Sequence, residues 1–150
     1  KVLKEVIVES SKRVLVFVPV KHVIDILKDK LTKDKITSDI IRGDVPAPKR
    51  TEIFKRFQTM PDPKVLIIQP QSAAHGVTLT AANTVVWWGP TSSLETYAQA
   101  NARVHRSGQD QKCTVVQLQS SPVEKRIYSL LDNRINIHTK IIDLYKDLLD

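Results

Sequence analysis

The chain has 150 residues, 41% hydrophobic and 26% charged, with 23 basic against 16 acidic side chains and a formal net charge of +7. That length suits one domain burying roughly two thirds of its unfolded surface, and the basic surplus allows a polyanionic partner without requiring one. The single cysteine, Cys113, excludes an internal disulfide and a multi-cysteine zinc site, and its apolar surroundings predict a buried, inert thiol. No apolar run approaches the ~20 residues that span a bilayer, and no signal-like segment opens the chain, so no membrane partner is expected. The expected compartment is cytoplasmic, or nuclear for a eukaryotic source. A start without methionine, inside a helical pattern, reads as an excised domain.

Taken in order, Val2, Leu3, Val6 and Ile7 fall on one helical stripe over residues 1–10. Arg13 to Val18 is a continuous apolar run, as a strand covered on both faces requires. Val23, Ile24, Leu27 and Leu31 have helical spacing, and the charged remainder from Lys28 to Lys35 reads as a solvated face. Ser38 to Arg42 suits a short strand, and Gly43-Asp44 turns the chain. Pro48 opens a helix with its stripe at Ile53, Phe54 and Phe57, which Met60-Pro-Asp-Pro63 breaks. Lys64 to Gln69 is a second buried-type strand, Pro70 to Thr80 a loop containing Gly76, and Asn83 to Trp88 a further strand ended by Gly89-Pro90.

A helix over 95–106 puts Gln99, Arg103 and Arg106 at i, i+4 and i+7, within roughly 60° of arc. Ala98, Ala102 and His105 share that spacing on another face, where two alanines permit close packing on a sheet; Ser107-Gly108 supplies a stop. Cys113 to Leu118 is the next strand, and Ser121-Pro122 starts a helix with Val123, Ile127, Leu130 and Leu131 inward. Ile141, Ile142, Tyr145, Leu148 and Leu149 give a last segment at helical spacing, suited to completing this domain or docking on another. Five apolar strands alternating with helices predict a mainly parallel sheet with helices on both faces and ligands at the carboxyl ends of the strands.

The stretch Gln99-Ala-Asn-Ala-Arg103-Val-His105-Arg106-Ser-Gly108-Gln109 carries the most specific signal. Two guanidiniums one turn apart, beside an amide, make a donor array for phosphate oxygens. The pattern Gln-Ala-x-x-Arg-x-His-Arg-x-Gly-Gln resembles motif VI of the Swi/Snf family of superfamily-two helicase-like ATPases. Pro70-Gln-Ser-Ala-Ala-His-Gly-Val-Thr-Leu-Thr80 resembles motif V of the same family, with Ala73 and Ala74 in place of its usual Gly-Gly pair. It is similar to a Ser-Ala-Gly-His-Gly form found in phage and prophage members. Small residues after a strand let backbone amides approach a phosphate. Arg42-Gly-Asp44 with Arg50 and Phe57 loosely resembles the segment between motifs IV and V, and Arg13 to Val18 fits motif IV, as many core strands do. The resemblance covers residues 12 to 135 and is most specific over 70 to 109.

The resemblance implies a RecA-like α/β three-layer sandwich, one domain over 1–150, forming the second lobe of a DNA-dependent ATPase. In this family ATP lies between two such lobes, the first carrying the phosphate-binding lysine loop and the metal-binding acidic pair. By position, Arg103 and Arg106 are then arginine fingers, Gln99 helps to orient them, and Gly76 lies in the nucleotide cleft; His75, in the same loop, is a candidate for contact with nucleotide or DNA, with a structural role as the competing reading. Ser72, Thr78, Lys49 and Arg50 are the candidates for contact with the backbone of duplex DNA. For Lys49, Arg50, Lys55 and Arg56 the competing reading is a solvated helix face.

The chain has neither Gly-x-x-x-x-Gly-Lys-Ser/Thr nor an adjacent Asp-Glu pair, so ATP and Mg²⁺ are assigned to a first lobe that it does not contain, and the lobe alone is expected to be inactive. His105 reads as a packing residue, His22 and His138 as surface residues, and no histidine pair has metal-ligand spacing. Trp87 and Trp88 point to opposite faces of a strand, with at most one in the core and the other covering a helix. Two other readings remain open. One is another superfamily-two helicase, against which Gln109 and Lys112 stand where DEAD-box proteins have arginines; the other is a non-catalytic nucleic-acid or protein-binding module.

Overall fold

The computed structural model describes residues 2–10, 12–73, 79–91, 94–103, 113–119, 121–132 and 138–143. Its elements are α1 (Val2–Glu9), β1 (Arg13–Phe17), α2 (Lys21–Lys33), β2 (Ser38–Ile41), α3 (Ala47–Thr59), β3 (Val65–Ile68), a 3-10 turn (Pro70–Ala73), β4 (Ala82–Trp87), α4 (Leu94–Asn101), β5 (Thr114–Gln119), α5 (Pro122–Asp132) and β6 (His138–Asp143). The strands form one sheet in the order β2-β3-β1-β4-β5-β6, and every neighbouring pair is parallel.

A parallel sheet must be covered on both faces, which is why β1 and β3 read as unbroken apolar runs. Val14, Val16, Val65, Ile67, Val86 and Val116 point to one face, beneath α1 (Leu3, Val6, Ile7) and α2 (Ile24, Leu27, Leu31). Leu15, Phe17, Leu66, Ile68, Val85 and Trp87 point to the other, beneath Ile53 and Phe57 of α3, Tyr97 of α4 and Tyr128 of α5. The placement of α2 opposite α3, α4 and α5 follows from right-handed crossovers running one way from β1 to β2 and the other way thereafter. Trp87 is fully buried in the second layer, while Trp88 is half-buried against the first, as strand alternation predicts.

Local chemistry explains most boundaries. Pro46 precedes α3 and Pro48 sits in its first turn, where a missing N–H costs no helical bond. Ser121 Oγ accepts from the Glu124 N–H (3.3 Å) at the start of α5. The end of α2 is a six-to-one closure, with Ile36 N–H bonded to Leu31 O (2.9 Å) and Lys35 N–H to Thr32 O (3.0 Å). This closure places Lys35 at φ 62°, a left-handed conformation that costs a residue with a Cβ about 1–2 kcal/mol. Lys35→Gly is therefore expected to raise stability by about 0.5–1 kcal/mol, after glycine's larger unfolded-state entropy is subtracted. The midpoint of urea unfolding would move up with an unchanged m-value. A lower midpoint would show that the Lys35 side chain makes a contact outweighing the strain.

Several sequence expectations need correction. Residues 138–143 form a sixth strand paired in register with β5, where helical spacing suggested a helix; Ile and Thr favour the pleated edge offered by β5. Tyr145, Leu148 and Leu149 lie outside the described residues. On α5 the inward residues are Tyr128 and Leu131, with Ile127 half-buried, whereas Val123 (68% exposed) and Leu130 (66%) face outward. The buried Tyr128 ring sets that rotation, with its hydroxyl beside the Trp87 and Leu118 carbonyls (3.3 and 3.2 Å). Lys28, read as part of a solvated face, instead donates through Nζ to the Ser38 carbonyl on the edge strand β2. A lysine there blunts an edge open to further strand pairing. Cys113 is buried as expected, and burial pushes its thiol pKa up against a smaller opposing pull from Lys12.

Candidate nucleotide and nucleic-acid interface

Pro70 to Ala73 leaves the carboxyl end of β3 and packs against α4. At the other end of the same connection, the Leu79 N–H donates to the Arg103 carbonyl at 2.8 Å. The two segments that carry the motif resemblance, separated in sequence, are thus tied together by main-chain bonding and packing.

Helix α4 stops at Asn101, short of the predicted 106. Its last turn tightens, with Ala102 N–H bonded to Ala98 O (3.1 Å) and Arg103 N–H to Ala100 O (3.2 Å). Arg103 Nε donates to the Gln99 carbonyl (2.9 Å), so this half-buried side chain closes the helix end while complementing its dipole. The Gln99 amide turns the other way and donates to Glu95 Oε1 (3.1 Å). Only its main-chain oxygen meets Arg103 in the described contacts.

The face of α4 against the sheet is Tyr97, Ala100 and Asn101, rather than Ala98 and Ala102, which are half-buried. Its polar atoms explain the rotation. Trp87 Nε1 donates to Asn101 Oδ1 (3.0 Å), and Gln117 Nε2 donates to the Tyr97 hydroxyl (2.8 Å), all within the core. A buried indole must find an acceptor, and here the acceptor is the last residue of the helix that leads into Arg103 and Arg106. Sequence reasoning missed these positioning residues; the signal was the need of Trp87 for a partner.

Ser72 is buried in the 3-10 turn at 8% exposure, with its N–H bonded to Gln69 O (2.9 Å). Gln69 also reaches sideways, its Oε1 accepting from the Gly43 N–H (3.0 Å), which joins the loop after β2 to the turn after β3. In that loop Arg42 bonds Asp25 through Nη1 (2.9 Å) and Asp44 through Nε (3.0 Å), and Asp25 is the leading cause of the upward shift of its pKa. Arg50 is half-buried and directs Nη2 to the Val45 and Arg42 carbonyls (3.1 and 3.4 Å), clamping the same loop. Lys49 is exposed and lines an open groove of about 680 Å³ with Lys28, Asp39, Glu52 and Arg56. Arg56 pairs there with Asp39 (2.7 Å), so charges of both signs occupy the groove. His75, Gly76, Thr78, His105 and Arg106 lie outside the described residues.

Residues 1–108 match the family model described as the helicase conserved C-terminal domain. The chain belongs to that family. This helicase lobe is 32% identical over 123 residues to the chromatin-remodeling ATPase INO80 of Emericella nidulans, covering 79% of the chain and 7% of that protein. It is 28% identical over 138 residues to the INO80 protein of Cryptococcus neoformans (89% of the chain, 8% of the relative). It is 25% identical over 142 residues to the ATP-dependent helicase FUN30 of Saccharomyces cerevisiae (94% and 13%). The lobe therefore spans a small part of these curated relatives, which are Swi/Snf-type ATPases as its motif VI suggests. Its fold is similar to the C-terminal part of the Fun30 ATPase domain, with TM-score 0.79 and 24% identity over 87% of the chain and 44% of that structure. It is also similar to the C-terminal domain of the DEAD-box protein Dbp5, with TM-score 0.77 and 21% identity (95% and 81%). The RecA-like lobe expected from the sequence is thus the observed fold.

Proposed function

We propose that this lobe is the second half of a Swi/Snf-type, DNA-dependent ATPase and translocase, and that it supplies arginine fingers to ATP held mainly by a separate first lobe. The observation that carries the reading is the junction of the two motif segments, where Leu79 N–H meets Arg103 O and the 3-10 turn lies on α4. A shift in the 70–80 connection on binding DNA is thereby passed through main chain to the segment bearing Arg103 and Arg106. Bound ATP supplies the phosphoryl group, and the guanidiniums present fixed N–H donors to its oxygens as negative charge redistributes. Gln99 contributes by accepting the Arg103 Nε–H at its carbonyl, which fixes the base of the arginine side chain.

His75 and Gly76 are assigned to the nucleotide side of the connection, and Ser72 and Thr78 to the DNA backbone. Lys49 and Arg50 complete the DNA assignment at the start of α3. Lys49 offers an exposed ammonium, while Arg50 shapes the 42–45 loop through two carbonyls. Mg²⁺ is assigned with the nucleotide to the first lobe, because the resemblance gives that lobe the metal-binding acidic pair.

The test is ATP hydrolysis with and without duplex DNA, by this lobe alone and by a chain carrying it together with a first lobe. The expected result is DNA-stimulated turnover in the two-lobed chain alone, with DNA binding that weakens steeply as salt rises. A two-lobed chain that binds DNA but never hydrolyses ATP would replace this proposal with a non-catalytic binding module.

A further inference from the structure

The connection that resembles motif V ends in a tight turn over Leu79–Ala82, closed by the Ala82 N–H on the Leu79 carbonyl (3.1 Å). Its central residues, Thr80 and Ala81, are half-buried and stand outside the strand ladder, so their polar groups need other partners. One side chain supplies two of them. Gln58, in the last turn of α3, accepts from the Ala81 N–H through Oε1 and donates to the Thr80 hydroxyl through Nε2, both at 2.9 Å. Lys12 Nζ, just before β1, donates to the Thr80 carbonyl (2.8 Å).

Both sides of this grip are fixed. On one side Leu79 is fully buried, and its N–H meets the Arg103 carbonyl at 2.8 Å. On the other, Ile53, Phe54 and Phe57 hold α3 on the sheet, so the helix cannot rotate Gln58 away without disturbing a close-packed core. The start of α3 is tied separately, by Arg50 Nη2 to the Val45 and Arg42 carbonyls. From Arg50 to Gln58 the helix rises about 12 Å, a stiff bar between the 42–45 loop and the turn. A single bond would let the turn pivot; an amide with both heavy atoms committed to neighbouring residues fixes its orientation as well as its place.

We propose that Gln58 is a positioning residue for the segment bearing Arg103 and Arg106. Through the turn it grips, it couples the DNA-side start of α3 to the Arg103 carbonyl. This inference rests on the arginine-finger reading and adds a second route from DNA to the arginines.

The test has two arms. In this chain, amide hydrogen exchange is followed at Leu79, with Ile36, bonded to the Leu31 carbonyl at the end of α2, as the remote reference. Gln58→Leu removes both contacts at similar volume and is expected to speed exchange at Leu79 and leave Ile36 unchanged. In a two-lobed chain, the same substitution is expected to lower kcat for DNA-stimulated ATP hydrolysis about 10- to 100-fold, with KM for ATP near the wild-type value. Gln58→Glu keeps an acceptor for the Ala81 N–H, and the Thr80 hydroxyl can turn to donate to its second oxygen, so most of the turnover should return. Thr80→Val, the milder change to the fold, removes one contact from the other side and should give a smaller loss, less than additive with Gln58→Leu. Equal acceleration at Leu79 and Ile36, or none at Leu79, overturns the proposal by reducing Gln58 to general stability or to no role. Wild-type kcat in Gln58→Leu, in a two-lobed chain that hydrolyses ATP, overturns it too. A wild-type two-lobed chain without hydrolysis fails the arginine-finger reading instead, and Leu79 exchange still decides whether Gln58 holds the Arg103 segment.

Discussion

In a two-lobed chain, Arg106→Ala is expected to lower kcat for DNA-stimulated ATP hydrolysis by about 10³- to 10⁵-fold while nucleotide still binds. The size of the effect follows from where the charge acts. A guanidinium that meets the phosphoryl oxygens only as charge develops on them stabilises the transition state more than the ground state, so kcat falls and binding is spared. Arg106→Lys keeps one positive charge but loses the planar fork, and is expected to recover only a small part of the rate. Arg103→Ala provides the contrast. Arg103 Nε already closes α4 on the Gln99 carbonyl, so its removal should lower stability as well as rate. Turnover and nucleotide affinity, measured beside thermal midpoints, separate the two arginines. Unchanged kcat in Arg106→Ala would remove the finger role from that residue, and a parallel loss of nucleotide binding would recast it as a ground-state contact.

The layered fold was legible because parallel strands buried on both faces leave continuous apolar runs, as at Arg13–Phe17 and Val65–Ile68. The motif segments were legible through residue identity, which periodicity alone does not supply. What periodicity misjudged was rotation and termination. Val123 and Leu130 have the spacing of a core stripe yet lie outside, because Tyr128 has both the larger apolar area and a hydroxyl that meets two strand carbonyls. Ala98 and Ala102 gave way to Tyr97 and Asn101 for the same kind of reason, a buried polar atom with a specific partner. The last strand was misread because the Ile and Thr residues at 139–142 satisfy more than one pattern, and pairing with β5 is a non-local fact. At the candidate site, the sequence pointed to Arg50 as a phosphate contact. Its clamp on the 42–45 loop depends on carbonyls that no motif displays.

The largest expected loss of stability is at Trp87. Its side chain is fully buried, with ring centroids 4.7 Å from both Phe17 and Tyr97, tilted by 32° and 41°. Removing an indole from such a site costs about 3–5 kcal/mol in lost transfer energy and cavity formation. The bond from Nε1 to Asn101 Oδ1 adds to the damage, since its loss leaves a buried acceptor without its donor. Against a typical domain stability of about 5–15 kcal/mol, Trp87→Ala should lower the thermal midpoint by about 6–20 °C. Trp87→Phe keeps most of the apolar volume and removes the donor, so a smaller loss of about 1–3 kcal/mol is expected. Asn101→Ala combined with Trp87→Phe tests the bond itself, because the double variant should lose less than the sum of the singles. A two-lobed Trp87→Phe chain is also expected to lose kcat at temperatures where it remains folded. The indole of Trp87 holds the residue at which α4 ends, and Arg103 and Arg106 follow directly from it. Full turnover in that chain would confine Trp87 to stability and leave the Leu79–Arg103 main-chain bond as the anchor of the motif VI segment.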